Sequence, residues 1–89
     1  MPYHVYILLC EDGSYYTGYA SDVKTRFEQH RKGRGARYTK IHKPEKIVYV
    51  EEVSSRSEAI KREREIKALS HRQKQLLADG PRSELNEKT

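Results

Sequence analysis

Tryptophan is absent from this 89-residue chain, and cysteine, methionine and phenylalanine occur once each. A lone thiol, Cys10, closes no internal disulfide, and no CxxC or Cys/His cluster offers the spacing of a zinc site. Stability must then come from packing, and a reducing compartment is expected. Long apolar runs are also missing. The stretch from Tyr3 to Cys10 is too short to span a membrane, has no basic flank, and runs straight into Glu11-Asp12. It reads as a strand, and the expectation is a cytoplasmic protein. Lysine and arginine are missing from the first 23 positions, whereas residues 24–46 hold nine of them against Glu28 and Glu45. The net charge of +5 therefore gathers in the middle of the chain. Such a block marks either a polyanion-facing surface or a merely solvated basic face.

The length suffices for one domain and not for two. With 35% hydrophobic and 35% charged residues, the core is small, so each periodic apolar position is expected to face inward. Two strands, Tyr3 to Cys10 and Tyr15 to Ala20, flank Asp12-Gly13, a strong hairpin signal. Gly18 inside the second strand marks a bulge or a close backbone approach. Ser21-Asp22 caps a helix from Val23 to about Lys32, which Gly33 and Gly35 end. A basic, irregular stretch with room for one helical turn follows, and then a third strand from Ile47 to about Val53. Ser55 and Glu58 have capping-box spacing and open a helix to about Leu69. Ser70 and Gln73 repeat the pattern before a short helix to Leu77. The expected architecture is α+β: a small three-stranded antiparallel sheet flanked by helices. A domain over residues 1–78 is expected, with 79–89 as a polar, disordered tail.

One carboxylate is out of place. Ala59, Ile60, Ile66 and Leu69 define the apolar side of the helix that Ser55 opens, and Glu63 falls among them. Burying an unpaired carboxylate costs several kcal/mol, roughly. Glu63 thus calls for a basic partner, a metal, or a place at the edge of a cleft or in water. On the first helix, Arg26 and His30 are four apart and flank the Val23/Phe27 face. In the hairpin, a two-residue turn would pair Glu11 with Ser14 and set Tyr6 near Tyr19, with Tyr16 diagonal to Tyr6. Seven of the eight aromatic residues are tyrosines, which suit a cleft wall better than a dry core, although tyrosine is also simply a good strand residue.

Taken in order, these residues carry a resemblance. Val5-Tyr6-Ile7, Tyr16-Thr17-Gly18, Arg26 ten positions after Tyr16, and Ala59 with Glu63 resemble the GIY-YIG nuclease superfamily, and its short bacterial single-domain members in particular. Asp12-Gly13-Ser14, Asp22-Val23, His30, Gly35-Ala36, Tyr38-Thr39 and the run from Ser55 to Ser70 extend the likeness over about residues 3 to 77. The first motif reads Val-Tyr-Ile here, and the second has Thr in place of Ile. The resemblance implies phosphodiester hydrolysis with one Mg²⁺ or Mn²⁺ ion held by Glu63. Tyr6 matches the tyrosine proposed to activate water, and Tyr16 the second tyrosine, which positions water or phosphate. Arg26 matches the arginine that neutralises charge on the phosphate. His30 and Tyr38 match positions that assist proton transfer or phosphate binding. Whether Tyr6 or His30 takes the proton is left open by the sequence.

The substrate implied is nucleic acid, DNA above all, and no membrane; a monomer is expected. Only the Arg31–Lys46 loop, with Arg31, Arg34, Arg37 and Lys40, and the basic helix faces are left to hold it. Little sequence preference is therefore expected, with recognition of strand structure or of single strands. The alternative is a nucleic-acid-binding module, on DNA or RNA, whose nuclease-like site is idle. A ribosome-associated role would explain the charge but not Glu63.

Overall fold

A computed structural model describes residues 2–80. The polar tail expected at 79–89 lies, beyond Gly80, outside the described residues. Strand β1 (Tyr3–Cys10) is central, with β2 (Tyr15–Ala20) on one side and β3 (Pro44–Val53) on the other, both antiparallel to it. Helices α1 (Val23–Arg31) and α2 (Arg37–Ile41) separate β2 from β3, and α3 (Arg56–Lys67) and α4 (His71–Asp79) follow. The α+β architecture agrees with the sequence reading. Strand β3 begins earlier than expected: Pro44 pairs with Cys10 and is buried. At the first position of a strand the missing N–H of proline does no harm.

The hairpin register departs from expectation. The loop has three residues, Glu11-Asp12-Gly13, not two. The Cys10 N–H donates to the Ser14 carbonyl at 2.8 Å, and Gly13 sits at φ +85°. Gly13 in the left-handed region closes a turn that other residues enter only with strain. The extra residue shifts every pair by one: Tyr6 faces Gly18, and Leu8 faces Tyr16. Because side chains alternate, this places Tyr6, Leu8, Tyr16 and Gly18 on one face of the sheet.

Each face has its own core. On one, Val5, Ile7 and Tyr49 pack with Ala59 and Ile66 of α3, and Leu77 of α4 joins them. On the other, Tyr6, Leu8 and Val50 pack with Val23 and Phe27 of α1. The helices start where the sequence says. The side chains of Asp22, Ser55 and Ser70 accept N–H bonds from Thr25, Glu58 and Gln73. At Ser70 the full reciprocal box forms. Helix α1 ends in a Schellman turn: Gly33, at φ +75°, and Arg34 donate to the His30 and Gln29 carbonyls. That turn reverses the chain sharply and brings residues 35–39 back over α1.

Candidate active site

The returning segment packs on His30. This side chain is 1% exposed and is the one buried residue of α1. Its Nε2 lies 2.9 Å from the Tyr6 hydroxyl, and its Nδ1 lies 2.7 Å from Thr39 Oγ1. Two glycines make this possible. A Cβ on Gly35 would stand 2.0 Å from His30 Nδ1, and one on Gly18 would stand 2.6 Å from the Tyr6 hydroxyl. The Tyr6 ring therefore lies across Gly18 of the edge strand β2, which meets it in close approach and without a bulge.

Other aromatic rings extend the cluster. Tyr16 packs against His30 with ring centroids 5.0 Å apart, and Tyr38 of α2 stacks on Tyr16 at 5.8 Å. Tyr38 in turn stacks on His42 at 4.2 Å, and His42 pairs with Asp12 in the hairpin loop. Ser14 donates to the other oxygen of that carboxylate. The Ser14 hydroxyl and His42 together hold Asp12 well below the usual carboxylate range.

The electrostatics set the protonation states. Burial pushes the Tyr6 hydroxyl far above its ordinary value; Tyr16 and Glu63 add to this, and the Arg26 guanidinium beside it pulls the other way. Tyr16 is raised by burial and then by Glu63, and again lowered by Arg26. His30 is pushed down to about 4, by burial first and by the Arg26 charge second. At neutral pH both tyrosines are protonated and His30 is neutral. Glu63 rises from α3, beneath the opposite face of the sheet, yet its charge reaches both hydroxyls. Its side chain is 16% exposed and pairs with Lys67 Nζ at 3.5 Å.

The lowered pKa of His30 predicts a stability change. An unfolded imidazole takes up its proton near 6.5, and the folded one only near 4. Between these values the unfolded chain binds more protons, so acid favours it. His30 should therefore cost the fold about 3 kcal/mol as pH falls from about 6.5 to about 4, with full stability above that window. Urea midpoints across this range, compared with His30→Gln, check it. The wild type should lose its advantage over the variant on acidification, and parallel profiles refute the assignment.

The expected site residues fall into two groups. Tyr6, Tyr16, Arg26, His30, Tyr38 and Glu63 come together around the β2 edge. Arg31, Arg34, Arg37 and Lys40 are exposed and stand apart from the buried cluster, with Arg31 paired to Glu28 at 3.2 Å. Arg26 also donates to Gln29 at 2.8 Å. Sequence reasoning assigned no part to Thr39 or Lys67, and to Gly35 only a part in ending α1. Lys67 was detectable as the i+4 neighbour of Glu63, and Thr39 stood in the quoted Tyr38-Thr39 pair without a role.

This fold and this grouping define a GIY-YIG protein. The chain belongs to that family, whose model, described as the GIY-YIG catalytic domain, matches residues 2–76. Among its relatives, a UPF0213 protein of Staphylococcus saprophyticus is 48% identical over 79 residues, covering 88% of this chain and 96% of the relative. A UPF0213 protein of Staphylococcus aureus is 54% identical over 70 residues, covering 79% and 85%. The solution NMR structure of a UPF0213 protein from Bacillus halodurans is 44% identical and covers 91% of this chain and 89% of its own, with a TM-score of 0.56. That of an E. faecalis protein is 37% identical, covers 83% and 79%, and has a TM-score of 0.57. Among the described residues, no helix is long and apolar enough to cross a membrane.

Proposed function

We propose that this protein is a divalent-metal-dependent nuclease that hydrolyses DNA phosphodiester bonds, guided by strand structure more than by sequence. The observation that carries this reading is the Tyr6 hydroxyl. It is hydrogen-bonded to a buried neutral histidine and stands where the charges of Arg26 and Glu63 both reach it. A tyrosine hydroxyl held in this way can take a proton from water while its own proton passes to His30 Nε2. His30 has room for that proton because it is neutral well below pH 7. Tyr16 walls the site and can orient water or phosphate, with Tyr38 stacked behind it. Arg26 supplies fixed donors and positive charge for the phosphate.

Glu63 fits a hard cation. Among the described residues no cluster of three His, Cys, Asp or Glu side chains exists that could cage a metal. A lone carboxylate suits Mg²⁺ or Mn²⁺, which keep most of their waters and share substrate phosphate oxygens, and Lys67 would have to release it. When bound there, one such ion would polarise the phosphate and steady the leaving oxygen.

The Glu63–Lys67 pair also favours a second reading, a binding module whose carboxylate is spoken for. A cleavage panel separates the two. Single-stranded, duplex and branched DNA are incubated with the protein and Mg²⁺ or Mn²⁺, with and without chelator. Cutting that the chelator abolishes supports the nuclease. Salt-sensitive binding with no cutting under either metal replaces it with the module. On either reading, replacing Arg31, Arg34 and Arg37 by Ala together should weaken binding. The slope of log K against log salt should fall by about 2 to 3. An unchanged slope excludes the basic block as the docking surface.

A further inference from the structure

We infer that Thr39 is a positioning residue, whose hydroxyl holds His30 as the Nδ1–H tautomer and so presents the Nε2 lone pair to the Tyr6 hydroxyl. The inference rests on the nuclease reading for its purpose, though not for its geometry. Thr39 is 2% exposed and His30 is 1% exposed. A threonine hydroxyl has one proton to give. We assign it to the Ala36 carbonyl at 2.9 Å, the backward bond that threonine makes within a helical turn. With that proton committed, the 2.7 Å contact with His30 Nδ1 can only be an N–H donating to Oγ1. The competing donor at this ring edge, the Ala36 N–H, is 3.4 Å from Nδ1, at the far limit of a hydrogen bond. Gly35 seals the same edge, since even a Cβ would collide with the ring. On the other edge, Nε2 faces the Tyr6 hydroxyl at 2.9 Å.

The chain of donors thus runs one way: Tyr6 O–H to Nε2, Nδ1–H to Thr39, Thr39 O–H to the Ala36 carbonyl. Reversing the tautomer would aim an N–H at the Tyr6 oxygen and block the proton's exit from that hydroxyl. The basic α2 segment therefore has a task besides any contact with substrate: it carries the group that orients the histidine.

The test is the ¹⁵N spectrum of the histidine side chains. The chain has 4 histidines, and His30→Gln assigns the relevant signals. The wild type and Thr39→Ser should show a protonated Nδ1 at His30. Thr39→Val, of nearly the same volume but without the hydroxyl, should move the proton to Nε2. A wild-type His30 protonated at Nε2 overturns the inference, and so does a folded Thr39→Val that keeps the Nδ1 proton. If Thr39→Val does not fold, the wild-type and Thr39→Ser spectra still decide. In cleavage assays Thr39→Val should lower kcat about tenfold or more with KM nearly unchanged, and Thr39→Ser should restore it. A switched tautomer with unchanged kcat overturns the positioning role. The spectra need no turnover, so a wild type that cuts nothing would refute the nuclease while leaving the tautomer result to stand on its own.

Discussion

Glu63→Gln should reduce metal-dependent cleavage by roughly a thousandfold or more while leaving the fold and DNA binding intact. Lewis-acid stabilisation of a phosphoryl group supplies several kcal/mol, roughly, and an amide in place of the carboxylate forfeits it. The fold should hardly notice. The change removes only an i, i+4 pair with Lys67, whose Nζ lies 3.5 Å from the carboxylate. An i, i+4 helix pair is worth about 0.3–0.5 kcal/mol. Binding should persist or tighten, because one negative charge leaves the site proposed to take phosphate. Single-turnover cleavage, a thermal melt and a gel-shift titration on one preparation separate these effects. Retained cleavage by the variant would remove Glu63 from the chemistry. A large fall in melting temperature would recast it as a structural ion pair.

Tyr6→Phe is the complementary change, and it should cost both rate and stability. The ring stays in its core with Leu8 and Val50, so packing is largely kept. What goes is the hydroxyl. General acid–base groups contribute about 10²–10⁴-fold, and kcat should fall by that order. His30 Nε2, whose partner at 2.9 Å is lost, is left unsatisfied in a buried site. That costs about 1–3 kcal/mol, and a domain of this size loses about 4–8 °C of melting temperature per kcal/mol. The two losses are read independently by kinetics and by thermal unfolding. A lowered melting temperature with full activity would confine the hydroxyl to a structural part.

The strands and the caps of α1, α3 and α4 could be read from the sequence because each depends on local chemistry, whereas the grouping of Tyr6, Tyr16, Arg26, His30 and Glu63 came with the family resemblance and not with spacing. Ser, Asp and Gly at fixed offsets announce helix ends, and alternation announces strands. The hairpin register could not be read in this way. Asp12-Gly13 is equally at home in a two-residue turn and in the three-residue loop that forms, because both place glycine at positive φ. The difference of one residue decides whether Tyr6 meets Tyr19 or Gly18, and with it which β2 side chains share the face of the Tyr6 ring. His30 posed another difficulty. On a helix with few apolar residues it looks like a surface side chain. Its burial comes from residues 35–39, which fold back after the Gly33 turn. Thr39 was hidden for the same reason, since its partner is nine residues away and joined to it through tertiary structure alone. Glu63 was conspicuous as a carboxylate on an apolar stripe. The structure gives that anomaly a milder form, largely shielded from water but paired with Lys67 at 3.5 Å.

The placement of Glu63 on α3, across the sheet from Tyr6 and His30, has a kinetic consequence. No single layer of the domain contains the proposed reaction centre. A chain that kept its hairpin and α1 but let α3 swing free would still hold the tyrosine–histidine pair and would lack the carboxylate. In a domain small enough to unfold all at once, catalysis and global folding then become one equilibrium. Activity measured against denaturant would trace the same curve as the fold itself, with no partly unfolded species able to cut. On the nuclease reading, that coupling confines cleavage of nucleic acid to the fully assembled state.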